Sequence, residues 1–114
     1  MRYTVTIKKN RDFRRLYSAG KTAANSLLVV YCRRNKLAIN RLGLTVGTRI
    51  GKAVKRNRVR RLIREAYRLR EGDLRRGYDI VVVARTRAAE ATYWQIDAAL
   101  AALFRKVGLL EAES

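Results

Sequence analysis

The chain has 114 residues, of which 27 are Lys or Arg and 9 are Asp or Glu, giving a formal charge of +18 at pH 7. Such a surplus repels itself in a compact fold, so it indicates a polyanionic partner, with nucleic acid favoured over an anionic membrane surface. Apolar residues make up 48% of the sequence, which excludes a wholly disordered chain, and no apolar run approaches the ~20 residues of a membrane-spanning helix.

The first predicted element is a short helix. Phe13, Leu16 and Tyr17 recur at the spacing of one helix face. Asn10 can cap such a helix, and Gly20 is typical of the residue at which one ends. We therefore expect the helix to run between these two residues, with two aromatic side chains one turn apart.

Two strands follow, separated by a polar turn. Residues 27–32 are rich in β-branched and apolar side chains, and residues 42–46 alternate in a strand pattern. Residues 48–53 then indicate an ordered loop. A further short strand is expected either at residues 4–8 or around Thr22.

The pattern changes to a long helix over residues 54–70. Its apolar positions share one face, and they are Val59, Leu62, Ile63, Ala66 and Tyr67. At about 100° per residue, a polar stripe lies opposite that face, and it consists of Asn57, Arg61, Arg64 and Arg68. One face is therefore expected to join the core, and the other to present guanidinium groups about 5–6 Å apart, a spacing comparable to that of phosphates along a nucleic-acid strand.

The basic residues are concentrated in this helix and just before it. Residues 49–70 hold ten bases and a single acid, Glu65. A solvated helix face normally mixes charges of both signs, so this composition is typical of a nucleic-acid contact. Arg outnumbers Lys here, and its planar fork suits bidentate contacts with phosphate.

A buried strand and a final helix complete the predicted chain. Residues 78–84 are apolar except for Asp79, the pattern of a strand covered on both faces. Thr92 and Gln95 form a capping box for a helix that ends at Gly108, and Trp94 near its start is expected to pack rather than to bind. The predicted order is α-β-β-α-β-α, an α+β fold in which three helices cover a small, mainly antiparallel sheet.

Residues 51–65, GKAVKRNRVRRLIRE, closely resemble the signature of the bacterial ribonuclease P protein family, which centres on Arg-Asn-Arg followed by basic and apolar residues. Four other segments also resemble the family's pattern, and they are residues 9–13, 41–46, 77–85 and 103–106. We expect one domain over residues 1–114, with residues 109–114 as a flexible tail. The resemblance implies a β-α-β crossover of unusual, left-handed sense.

The resemblance also implies a function. Proteins of this family bind a catalytic RNA, and the pair is an endoribonuclease that removes the 5′ leader from precursor tRNA. Carried over to this chain, the contacts with the catalytic RNA are Arg49, Lys52, Lys55, Arg56, Asn57, Arg58, Arg60, Arg61, Arg64 and Arg68. The implied cleft for the single-stranded leader is formed by Phe13, Tyr17 and Tyr31, with Arg85 beside them. Aromatic faces next to basic groups suit unpaired RNA.

The sequence predicts no catalytic or metal-binding residue in the chain itself. It contains no His, and its acids show no spacing typical of metal ligands. The resemblance implies that the RNA carries out hydrolysis with Mg²⁺, in a 1:1 complex with a monomeric protein. From the residues alone two alternatives stay open, a structural RNA-binding protein of the ribosomal type and a DNA-binding protein.

A cytoplasmic location without a membrane partner is expected. Cys32 is the only cysteine, which excludes an internal disulfide and is typical of a reducing compartment. The first residues lack the apolar core of a secretion signal, so none is predicted.

Overall fold

A five-stranded sheet is the centre of the fold in the computed structural model, which describes residues 1–111. Its strands are β1 (Thr4–Thr6), β2 (Lys21–Ala24), β3 (Leu28–Arg34), β4 (Asn40–Thr45) and β5 (Tyr78–Ala84). The helices are α1 (Asn10–Ala19), α2 (Ala53–Arg70) and α3 (Tyr93–Lys106), and short 3₁₀ turns lie at Thr48–Ile50, Glu71–Asp73 and Thr86–Glu90. The predicted order is confirmed, and short strands exist at both places considered for an additional one.

The sheet is mixed, with the spatial order β1-β4-β5-β3-β2. The antiparallel pairs β2–β3 and β3–β5 join 4 and 7 residue pairs, and the parallel pairs β1–β4 and β4–β5 join 3 and 5. Antiparallel pairing is therefore the larger share, and the predicted α+β class is confirmed. β4 and β5 are parallel neighbours connected through α2, which makes a β-α-β crossover. Its left-handed sense stays an implication of the resemblance.

β5 is the central strand, and its alternate residues serve opposite faces of the sheet. Ile80 and Val82 belong to a larger core beneath α2 and α3, whereas Val81 belongs to a smaller cluster with Leu16 of α1. All three strand residues are fully buried. A strand covered on both faces has few polar positions, which explains why residues 80–84 of β5 are all apolar.

The larger core joins the sheet to α2 and α3. The fully buried residues of α2 lie on the predicted face, and they are Val59, Ile63, Ala66 and Tyr67. Leu62, which was expected with them, is only partly buried. The ring of Tyr67 packs edge-on against that of Phe104 in α3, with centroids 6.1 Å apart. Among residues 1–111, no helix has an apolar stretch long enough to cross a membrane.

α3 begins as predicted, but the prediction that a flexible tail starts at residue 109 is wrong for Leu109, which is fully buried. The capping box is present, because Thr92 Oγ1 accepts from the Gln95 N–H and the Gln95 side chain accepts from the Thr92 N–H. Gly108 has a φ of 82°, so the chain reverses and the Leu109 N–H donates to the Phe104 carbonyl at 2.9 Å. This turn returns the Leu109 side chain to the core, where it is fully buried. Residues 112–114 lie outside the described residues.

α1 lies on the other face of the sheet, close to β4. The close approach depends on Gly43, where an added Cβ would lie 2.6 Å from ring carbons of Phe13. The predicted cap is corrected by the structure: Lys9 occupies the N-cap position and makes no side-chain cap bond. Asn10 is the first helical residue, so its side chain belongs to the first turn and not to the position before it.

Candidate nucleic-acid interface

The exposed face of α2 carries the predicted basic stripe. Asn57, Arg61, Arg64 and Arg68 are all solvent-exposed, whereas Ile63 on the opposite side is fully buried. The predicted two-sided helix is therefore confirmed. Successive members of the stripe are one helical turn apart, which separates their side chains by about 5–6 Å along the helix.

Four bases of the predicted RNA-binding set have exposed side chains without an internal partner, and they are Arg49, Lys52, Arg61 and Arg64. Within residues 1–111 none of them makes an ion pair or a side-chain hydrogen bond. Because no acid neutralises these charges, they repel one another in the free protein and are relieved by a polyanion. They are the side chains of this set best placed to contact phosphate.

Two further bases of the set are paired with acids. Lys55 Nζ lies 2.7 Å from Glu90 Oε1, and Arg68 Nη2 lies 2.6 Å from Glu65 Oε1. The hydrogen bond from Arg68 lowers the pKa of the Glu65 carboxyl below its ordinary value. Because both pairs lie in water, they contribute little to stability, and a phosphate can replace the carboxylate at small cost.

Three bases in the middle of the set, Arg56, Arg58 and Arg60, are half-buried. Arg58 donates to the carbonyl oxygens of Ala89 and Ala91 at 3.4 and 2.9 Å, which holds α2 against the neighbouring 3₁₀ turn. Arg60 donates to the side-chain oxygen three residues before it at 2.9 Å. Arg56 Nε is buried without a hydrogen-bond partner among the described residues. At least Arg58 thus has a structural role that its position in the motif did not reveal.

The predicted cleft residues Phe13, Tyr17 and Tyr31 meet on the α1 face of the sheet. The ring centroid of Tyr17 lies 6.5 Å from that of Phe13 and 4.9 Å from that of Tyr31. The Tyr17 hydroxyl forms a hydrogen bond of 2.9 Å with Thr45 Oγ1, and the residue is 41% exposed. Phe13 and Tyr31 are half-buried. The three rings are therefore neighbours at a partly open surface.

A groove extends from these rings along the ends of β4 and β5. Its first part is a cavity of ≈ 660 Å³, lined by Asn10, Phe13, Arg14, Tyr17, Leu44, Thr45 and Val46. Its second part, of ≈ 420 Å³, is lined by Thr45, Gly47, Thr48, Arg49, Ile50, Val83, Ala84, Arg85 and Thr86. Thr45 lines both parts, which joins the aromatic rings to Arg49 and to the predicted Arg85.

Arg14 and Thr45 line the groove but were not predicted. Arg14 directly follows Phe13 on α1, and a surface arginine on a helix is too common to stand out as a signal. Thr45 lies two residues after Gly43 on β4, so the two residues share one face of the strand. Only the contact between Gly43 and α1 shows that this is the face of the groove.

The groove and the basic face of α2 meet at the Thr48–Ile50 turn. β4 ends at Thr45, the turn carries Arg49, and α2 begins at Ala53. Gly51 has a φ of 142°, a conformation that L side chains rarely adopt, and it lets the ordered loop pass from the sheet edge into α2. Arg49 therefore lines the groove and also stands at the start of the basic helix.

Trp94 does not pack as the sequence led us to expect. Its side chain is 76% exposed. It lies two residues before the fully buried Ile96, which places it on roughly the opposite side of α3. The expectation of packing is therefore wrong, because the helix turns this position away from the core.

Both the sequence and the fold are similar to one family of known proteins. A family model described as Ribonuclease P matches residues 1–108. The chain is 46% identical over 104 residues to the ribonuclease P protein component of Alkaliphilus metalliredigens, and the alignment covers 91% of this chain and 94% of that protein. The fold of this chain matches that of the RNase P protein of Staphylococcus aureus with a TM-score of 0.86 at 36% identity, over 93% of this chain and 97% of that one. The chain therefore belongs to the family of bacterial ribonuclease P protein components.

Proposed function

We propose that this chain, as the protein component of ribonuclease P, binds the catalytic RNA and the 5′ leader of precursor tRNA and so assists removal of the leader. The proposal is carried by the junction, at Arg49, of two different surfaces. One is the exposed guanidinium face of α2, and the other is the aromatic groove on the sheet. The first suits the backbone of a folded RNA, and the second suits unpaired nucleotides.

The catalytic RNA is assigned to α2 and the turn before it. Arg49, Lys52, Arg61 and Arg64 offer four charges that have no partner among the described residues. The three guanidinium groups can each donate two hydrogen bonds to a phosphate, the Lys52 ammonium can pair with another phosphate, and each contact releases counterions from the RNA. Lys55 and Arg68 can join them by exchanging a carboxylate for a phosphate.

The 5′ leader is assigned to the groove. Phe13, Tyr17 and Tyr31 present partly open aromatic surfaces on which unpaired bases can stack. Arg14 and Arg85 lie on the groove walls, where they can hold the phosphates between those bases. This combination of rings and cations distinguishes a single strand from a duplex, whose bases are already stacked.

Hydrolysis is assigned to the RNA partner, which would bind the Mg²⁺ that the reaction requires. The chain has no His, and among residues 1–111 no three acid or thiol side chains come together in an arrangement that could hold a metal ion. The protein's part is then to screen the repulsion between two RNAs and to hold the leader. A monomer in a 1:1 complex with the RNA, in the cytoplasm, completes the proposal.

Reconstitution tests this function. We expect the protein, added to a transcript of bacterial ribonuclease P RNA at low salt and low Mg²⁺, to increase the rate of 5′ cleavage of precursor tRNA. These conditions matter because little else then screens the repulsion between the two RNAs. The readout is the rate of leader release on a denaturing gel. Absence of stimulation would contradict the proposal and would favour a structural RNA-binding role of the ribosomal type.

Replacing Tyr31 by Ala should reduce the preference of the holoenzyme for precursor over mature tRNA. The loss of one stacked base costs roughly 1–3 kcal/mol, which corresponds to about a 5- to 150-fold change in relative affinity. Tyr31→Phe keeps the ring and should retain the preference. Competition binding of the two tRNA forms measures the effect, and equal discrimination by Tyr31→Ala and the parent would show that Tyr31 only packs.

A further inference from the structure

α3 leaves the chain's only tryptophan in solvent. Trp94 is 76% exposed, and its ring centroid lies 5.2 Å from that of Tyr93, with the two planes at 77°. Tyr93 is half-buried, so it supports the indole from the side. An aromatic ring held in water forgoes the free energy that burial would supply. The pair is therefore a candidate contact site that neither the basic stripe nor the groove includes.

The acids closest to this pair are balanced by bases, which admits an anionic partner. Three acids are each engaged by a base, in the pairs Glu65–Arg68, Asp97–Arg70 and Glu90–Lys55. Burial raises the pKa of the Tyr93 phenol, the carboxylates of Asp97 and Glu65 raise it further, and the charges of Arg70 and Arg68 act against that rise. The ion pair of 2.8 Å between Arg70 and Asp97 joins the end of α2 to the start of α3, so this end of α2 lies near the aromatic pair, and none of these three carboxylates is left unpaired to repel a phosphate.

The basic stripe of α2 leads toward the pair. Arg61 and Arg64 lie two turns and one turn before Arg68 on the same exposed face. An RNA backbone that follows this stripe to Arg68 comes to the start of α3, where Trp94 stands. A second copy of this chain is a poorer occupant, because two molecules of formal charge +18 repel one another.

We propose that Trp94 stacks on an unpaired base of the ribonuclease P RNA at the Arg68 end of that contact. The inference rests on the proposed function, since it adds a base contact to the phosphate contacts of α2. Bases inside an A-form helix have no free face, so the partner is a nucleotide in a loop, a bulge or a strand end. Stacking accepts any base, so Trp94 fixes the position of the RNA and does not read its sequence.

Because Trp94 is the only tryptophan, its own fluorescence reports the contact. Titrating the full-length protein with a transcript of ribonuclease P RNA should quench this emission as a base covers the ring. In filter-binding measurements Trp94→Ala should weaken affinity by about 5- to 150-fold, with an unchanged dependence on salt because no phosphate contact is lost. Trp94→Phe, which keeps a stacking ring, should recover most of the affinity.

Leu37→Ala is a matched control, because Leu37 is 50% exposed and lies in the turn between β3 and β4, outside both α2 and α3. Its affinity for the RNA should equal that of the parent, and the melting temperatures of all variants should agree. Parent-like affinity of Trp94→Ala together with unquenched emission would overturn the inference and leave the proposed function standing. Failure of the parent to bind the RNA would instead overturn both. Quenching that depends on protein concentration without RNA would identify a second copy as the occupant and overturn the inference.

Discussion

Replacing Arg61 and Arg64 together by Ala should weaken binding to ribonuclease P RNA by about a hundredfold or more at low salt. Each substitution removes a charge-assisted contact of about 1.5–3 kcal/mol, and the slope of log K against log salt should fall by about one unit for each lost phosphate contact. Both side chains are exposed without an internal partner among residues 1–111, so the fold is expected to remain intact. Filter binding over a series of KCl concentrations measures both quantities.

The control for this experiment removes the same charge elsewhere. Arg33 and Arg34 are exposed at the end of β3, so Arg33→Ala with Arg34→Ala lowers the net charge equally and leaves α2 untouched. This control should retain a salt slope close to that of the parent. Equal losses in the two double variants would mean that affinity follows net charge alone, and the assignment of the RNA to α2 would then be wrong.

Ile63→Ala should lower the free energy of unfolding by about 2–5 kcal/mol, because Ile63 is fully buried between α2 and the sheet and its truncation leaves a cavity. Against a typical total of about 5–15 kcal/mol, this is a large share of the stability. Urea denaturation followed by circular dichroism measures the change. Any loss of RNA binding should disappear under conditions in which the variant is fully folded.

Two further substitutions show whether the loss of unfolding free energy in Ile63→Ala comes from lost packing. Ile63→Val removes one methylene group and should cost only about 0.5–1.5 kcal/mol. Arg64→Ala, one residue further along, changes the exposed face and should not lower stability, since like charges on that face are reduced. A loss below about 1 kcal/mol for Ile63→Ala would show that this face of α2 is poorly packed.

The features that were predictable from the sequence depend on a short repeat of apolar residues or on hydrogen bonds between residues close together in the chain. The two faces of α2 follow from the helical repeat, which separates Ile63 from Arg61 and Arg64. The capping box at Thr92 involves residues three positions apart. The run of apolar residues in β5 indicates a strand covered on both faces without knowledge of what covers it.

Features that depend on distant contacts were not predictable in this way. Thr4 pairs with Asn40, and although a short strand was expected in this region, three residues carry too little pattern to indicate which strand they pair with. Arg58 belongs to the same motif as Arg61, but only the approach of the Thr86–Glu90 segment gives it carbonyl groups to hold. The place of Thr45 in the groove likewise depends on the packing of α1 over β4.

The groove proposed for the leader and the basic helix α2 lie on opposite faces of the sheet, with β5 between them. Val81 contributes to the side beneath α1, and Val82 contributes to the side beneath α2 and α3. Substitutions around α1 that change the shape of the leader groove can thus accumulate without altering the surface of the sheet on which α2 packs. The sequences of relatives can therefore diverge at one binding surface while the packing beneath the other is unchanged. Only β5 packs against both sides, so its residues are constrained by both surfaces.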